Sequence, residues 1–169
     1  MKKCLIIVLL CISNTIFAQA EIIQTFVEKW DNSKDYLIAV AQAMPEDKYD
    51  YKPREREMSF REQLLHIQDN MNWLGMTYFS ENKYAKKEAP KGLSKAQIIL
   101  GLETSFDKAK ALVQGTNDVE LFQKVSFFAG KKSKLQILNL MQDHVTHHRA
   151  QILVYLNLNE IHPPKYIGW

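Results

Sequence analysis

Apolar residues recur along this chain at helical spacing in four blocks, separated by charged or proline-rich links. From Ile22 to Met44, the residues Phe26, Trp30, Leu37, Ala41 and Met44 follow at steps of four, seven, four and three, which keeps them on one side of a helix. Pro45 ends that helix, because it cannot continue the backbone ladder. The stretch PEDKYDYKPREREM after it carries charge and proline without period and reads as a connection. Ser59 and Glu62 then form a capping box, in which the serine oxygen accepts an orphan amide and the glutamate reaches back. The second helix they open runs to about Ser80, with Phe60, Leu64, Ile67, Met71, Leu74 and Tyr78 as its apolar stripe and His66 beside it.

After the polar link ENKYAKKEAPKG, Ser94 and Gln97 repeat the box and start a third helix carrying Ile98, Leu102, Phe106, Ala109 and Val113, with Gly115 as its stop. Between Thr116 and Lys132, VSFFAGKK is compatible with either a short extended piece or an irregular loop. Ser133 caps a fourth helix from about Lys134 to Leu158, closed by Asn159, Pro163 and Pro164. Four amphipathic helices of this length predict an all-α four-helix bundle with a short irregular or extended segment before the last helix.

The first twenty residues, MKKCLIIVLLCISNTIFAQA, change the picture of where the bundle works. A basic start at Lys2 and Lys3, an apolar run from Leu5 to Ile12 and small residues Ala18 and Ala20 make a secretory signal peptide. The expected organisation is therefore a signal peptide over 1–20 and one domain over 21–169, exported to the periplasm or the medium. The apolar run is far below the roughly 18 to 20 residues that span a bilayer. Val8, Leu9 and Leu10 lack the small side chains that precede a lipidated cysteine, which argues against lipid attachment at Cys11. Both cysteines, Cys4 and Cys11, lie in the segment to be removed, so the mature chain has no thiol for disulfides or catalysis. Loss of Lys2 and Lys3 takes the formal charge of +3 down by two, leaving a nearly balanced surface without a basic tract and no support for nucleic acid binding.

The fourth helix contains DHVTHHRAQI, with His144, His147 and His148 in five positions. At about 100° per residue, His148 lies about 40° from His144 on one side and His147 about 60° from it on the other. Ile137, Leu140, Met141, Gln151, Tyr155 and Leu158 fall within roughly 60° of His144, which predicts that the His144–His148 pair interrupts a buried stripe, while Asp143, Thr146 and Arg149 point elsewhere. Two imidazoles one turn apart can offer ring nitrogens to one cation if both are neutral, and burial favours the neutral form. A third ligand has to come from elsewhere. His66, mid-helix at the edge of an apolar stripe with Glu62, Asn70, Trp73 and Thr77 on the same face, fits better than His162 in the proline-rich tail. Spacing alone leaves two readings, metal ligands or satisfied core histidines. Trp30, Trp73 and the Phe127–Phe128 pair read as core or loop-packing residues.

A zinc protease of the HExxH type needs glutamate at position 145, which is valine, and a di-iron bundle needs ExxH, which does not occur. Three neutral histidines on one ion leave positions for water or substrate, and such an ion lowers the pKa of a bound water or thiol. The carboxylates placed nearby are Glu62 and the more distant Asp69; neither reads as an obvious general base, and no catalytic residue is assigned.

The tryptophan-bearing first helix, the start MSFREQLLHI of the second, the stretch HVTHHRAQ and the closing IHPPKYIGW together resemble the DinB-like family, whose relatives include bacillithiol transferases and mycothiol-dependent maleylpyruvate isomerases. The resemblance covers nearly the whole mature chain and implies a four-helix bundle, often a homodimer. It implies one divalent ion, such as zinc or nickel, held by a histidine of the second helix and a HxxxH of the last; position by position these are His66, His144 and His148. Where family members often read HHRGQ, this chain has Ala150. The signal peptide is the larger departure, because the thiol-transferring relatives use cytoplasmic cosubstrates. The expectation is an exported metal-dependent enzyme of transferase or hydrolase type acting on a small molecule. The alternatives are a non-catalytic envelope module that binds a metal or small ligand near Trp73, and a bundle whose histidines are structural.

Overall fold

Three serine caps set the starts of three helices. Ser59, Ser94 and Ser133 each accept from the amide three residues on, and Glu62, Gln97 and Gln136 each reach back to the serine amide. The computed structural model describes residues 2–82, 84–86, 90 and 92–168, with side chains from residue 22 onward except that of residue 118. Its elements are α1 (Lys2–Ala43), a single 3₁₀ turn (Glu46–Lys48), α2 (Phe60–Phe79), α3 (Lys95–Gln114), a short α4 (Asp118–Leu121), strands β1 (Lys124–Val125) and β2 (Lys132–Ser133), and α5 (Lys134–Leu158). The predicted all-α bundle is the fold found.

α1 begins at Lys2 rather than at Ile22, because residues 2 to 43 contain no glycine or proline to break it. Among the described residues, no helix is long and apolar enough to cross a membrane. The segment compatible with either an extended piece or a loop is a small antiparallel hairpin that pairs Lys124 with Ser133 and Val125 with Lys132. Its turn uses Gly130 at φ 88°, a left-handed conformation that costs glycine nothing. The charged connection after α1 is more ordered than its composition suggested. Tyr49 is fully buried there, and its hydroxyl donates to the carbonyl of Ala41 at 2.8 Å. Lys95 Nζ caps the end of α1 by donating to the carbonyls of Gln42 and Met44.

α2 packs between α3 and α5, and α1 closes the ring between the same two helices. Trp30 pins α1 to α3, its indole donating to the carbonyl of Phe106 at 3.0 Å from a fully buried position. Leu64, Ile67, Met71 and Leu74 of α2 are fully buried, each contributing about 1.5–3 kcal/mol relative to exposure.

α5 corrects one expectation. Leu140 and Leu158, predicted in the buried stripe, are 37% and 56% exposed. The observed stripe is Ile137, Leu138, Met141, Val145, Ile152, Tyr155 and Leu156, so Ile137, Met141 and Tyr155 lie where expected, with Arg149, predicted to point away, buried among them. A helix wedged between two neighbours buries the arc between them, here centred about 80° from His144. The His144–His148 pair therefore sits on the α2 edge of that arc, half-buried, rather than in its middle. Arg149 lies over the ring of Tyr36, 4.8 Å from its centroid, and donates to the carbonyl of Ser33.

Candidate metal centre

The site forms on the seam between α2 and α5. Leu64 and Ile67 of α2 and Met141 and Val145 of α5 are all buried in one core, which fixes how the two helices stand against each other. That placement brings His66 of α2 to His144 and His148 of α5, with ring centroids 4.4 to 4.8 Å apart. One nitrogen from each ring lies within 4.8 Å of the others, a group that could hold a metal ion. His66 Nε2 and His144 Nε2 are 3.1 Å apart. Two nitrogens on one tetrahedral zinc, each about 2.05 Å away, would stand about 3.3 Å apart, so this spacing fits one ion.

The electrostatics keep the three rings neutral, as ligation requires. Burial pushes His144 down to about 3, with further lowering from His148, His66 and His147. Burial likewise takes His148 down to about 4, with His66 and His147 adding and Gln151 opposing. His66 is lowered by burial, with Asp69 opposing and Lys86 assisting. His144 Nδ1 is buried with no hydrogen-bond partner among the described residues, and its Nε2 faces His66 Nε2. Three imidazole nitrogens suit zinc, nickel or a similar borderline ion and leave at least one coordination position to a ligand.

His147 and His162 stay outside the group. His147 is exposed, stacks edge-on against His148 and faces Gln151, and His162 is exposed in the tail. The polar strip expected around His66 is only partly interior, since Asn70 and Trp73 are half-buried while Glu62 and Thr77 face solvent. Trp73 stacks on Phe127 and Phe128 of the hairpin, so these aromatics do pack with one another, although Phe128 is 83% exposed.

A cleft of about 430 Å³ opens beside His66, lined among others by Lys52, Arg56, Met58, Glu62 and Leu65. Glu55 and Glu57 also line this cleft, Glu57 in an exposed pair with Arg56 at 3.1 Å, and the two carboxylates noted from the sequence are engaged. Glu62 accepts from the Ser59 amide at 2.6 Å and from Lys52 at 2.9 Å, and these contacts hold its carboxyl below the usual range. Asp69 accepts from the Tyr84 hydroxyl.

Gln63 was missed from the sequence. It is buried, its Oε1 lies 2.6 Å from His148 Nδ1 and its Nε2 donates to Gln151 Oε1 at 2.7 Å. A signal was present: Gln63 stands at a stripe position, three after Phe60 and four before Ile67, where an amide needs a partner.

A model of the DinB family matches residues 13–164. The chain belongs to the DinB family. Its fold is similar to that of two DinB-like proteins of known structure. One is YjoA from Bacillus subtilis (TM-score 0.72, 18% identity, 85% of this chain and 97% of that one). The other is from Bacillus cereus ATCC 10987 (TM-score 0.72, 14% identity, 85% and 96%). No curated protein matches the chain. At these identities the likeness carries the DinB fold alone, and the chemistry has to be argued from the histidines.

Proposed function

We propose that this DinB protein is an exported enzyme dependent on a divalent ion held by His66, His144 and His148, zinc or nickel being the best matches to the donor set. The observation that carries the reading is the convergence of three half-buried rings kept neutral by burial, with Nε2 atoms of His66 and His144 at 3.1 Å. A bound ion there supplies Lewis-acid chemistry, polarising an oxygen or sulfur donor of the substrate or a nucleophile. The chain's own residues shape the approach: the cleft beside His66 admits a small molecule, and Met58 and Leu65 give it an apolar wall. Transferase and hydrolase chemistry both fit such a centre. Export rests on the pattern of residues 1–20, and N-terminal sequencing of protein recovered from the cell envelope or medium tests it: a mature chain starting near Glu21 supports export, and an intact N-terminus inside the cell sinks it.

Elemental analysis of purified protein, beside His144→Ala, tests the ion. Wild type that carries no stoichiometric metal and is indifferent to chelators would overturn the proposal. A second reading, a non-catalytic envelope module that captures a metal or small ligand, is favoured by the engagement of Glu62 and Asp69, which already accept from other partners. Hydrolysis and thiol-transfer assays on metal-loaded protein separate the two, because turnover that disappears with the ion excludes the module.

A further inference from the structure

We infer that Gln63 is a positioning residue that fixes the tautomer of His148, keeping its proton on Nδ1 and leaving Nε2 bare. The direction of the hydrogen bonds is set by a backbone carbonyl that touches none of the three rings directly. Met58 O can only accept, and the Tyr155 hydroxyl 2.9 Å away donates its single proton to it. The Tyr155 oxygen can then only accept from Gln63, at 3.4 Å, so the amide nitrogen of Gln63 is the end that faces it. The same nitrogen donates to Gln151 Oε1 at 2.7 Å, and Gln151 in turn presents its own nitrogen to His147 Nε2 at 3.1 Å. Gln63 Oε1 is thereby left against His148 Nδ1 at 2.6 Å.

An amide oxygen carries no proton, so the ring nitrogen has to supply it. A neutral imidazole has one such proton, and with it on Nδ1 the lone pair of His148 is at Nε2. Turning the Gln63 amide over would set its oxygen against a Tyr155 hydroxyl whose proton is already committed, and Gln63 and Tyr155 are both buried, where two facing acceptors are costly. The polarity of the chain from Met58 to His148 thus has one consistent direction. His144 lacks this support, its Nδ1 being partnerless among the described residues, so the protein specifies the orientation of His148 more fully than that of its neighbour one turn away.

What the bare Nε2 is for rests on the metal reading above, whereas which nitrogen holds the proton does not. The two are separated by measuring both. Nitrogen-15 spectra of histidine-labelled, metal-free wild type near pH 7.5 should show His148 with a proton on Nδ1 and a pyridine-like Nε2; the opposite pattern overturns the inference. In Gln63→Leu the Nδ1 tautomer should lose its dominance, and calorimetric zinc affinity should fall about 10- to 100-fold. Gln63→Glu, which keeps an acceptor against Nδ1 but sets its second oxygen against Gln151 Oε1 and the Tyr155 hydroxyl, should restore the Nδ1 tautomer at a cost in stability. Zinc affinity and tautomer unchanged in Gln63→Leu also overturn it. If wild type binds no zinc, the metal reading fails, and the wild-type spectra still decide the role of Gln63.

Discussion

Acidification from pH 7 to pH 5 should destabilise the metal-free protein, and the histidine seam should carry most of the loss. In the folded chain His144 titrates near 3 and His148 near 4, against an ordinary value of 6.5. The unfolded chain therefore binds protons below about pH 6.5 that the folded chain refuses, so folding stability rises with pH across this window. The contribution is whole above 6.5, falls as the pH drops below it, and levels off only past 4 and 3. Each fully expressed ring loses about 1.4 kcal/mol per pH unit, or about 2 kcal/mol by pH 5. Because the rings are half-buried and partly screened, about 1 kcal/mol each is the working lower figure. The pair thus accounts for about 2–4 kcal/mol of a total that is typically 5–15 kcal/mol. Glu62, held below its ordinary 4.5, keeps its full contribution through this window and starts to lose it only at lower pH, which keeps the window clean of that carboxylate.

The assay is denaturant unfolding with a chelator present at pH 7, 6 and 5, on wild type and on the His144→Ala/His148→Ala double variant. Wild type should lose stability steadily on acidification and the double variant much less. A wild-type stability flat to within about 0.5 kcal/mol, or an equal loss in both proteins, refutes the reasoning.

Zinc at about one hundred times its dissociation constant should stabilise wild type by about 2.7 kcal/mol, a rise in Tm of about 5–10 °C by calorimetry, and leave His66→Ala unmoved. Ser133→Ala removes the oxygen that accepts from the Gln136 amide at the start of α5 and should cost about 1 kcal/mol in denaturant unfolding. Glu160, just past the end of α5, stands at φ 59° and lets the Ile161 amide reach the Leu156 carbonyl at 3.0 Å; Glu160→Gly should therefore stabilise by about 0.5–1 kcal/mol, and a loss would show that the left-handed conformation is not strained.

The bundle was legible because its signals are local. Capping boxes at Ser59, Ser94 and Ser133 and 3.6-residue stripes need no knowledge of neighbours, and α5 runs over the predicted residues. What escaped depends on partners. The angular arithmetic assumes that the buried arc of α5 is centred on its most apolar residues, but the arc is set by which helices flank it, so Leu140 and Leu158 came out exposed and Arg149 buried. Tyr49 escaped because a lone tyrosine in a charged connection has no period, and its burial comes from folding back against the end of α1. His144 and His148 were legible as candidates because HxxxH is a local pattern, and His66 because it stands mid-helix at the edge of an apolar stripe; the family resemblance matched the same three positions and favoured ligands over satisfied core histidines.

The origin of the site on two helices ties its chemistry to the packing of the bundle. His144 and His148 are held one turn apart by α5 alone, but the distance to His66 is set by how α2 and α5 seat against each other through Leu64, Ile67, Met141 and Val145. An ion that needs all three nitrogens within coordination distance therefore binds the seated seam better than any loosened one, and stabilises it in return. Gln63 works across the same seam, from α2 to His148, Gln151 and Tyr155 of α5, so the element that orients the ligand is also the one that registers the helices. It follows that cavities in this core should weaken metal binding without touching a ligand. Leu64→Ala should lower zinc affinity as well as stability, whereas an equally destabilising cavity between α1 and α3 should lower stability alone.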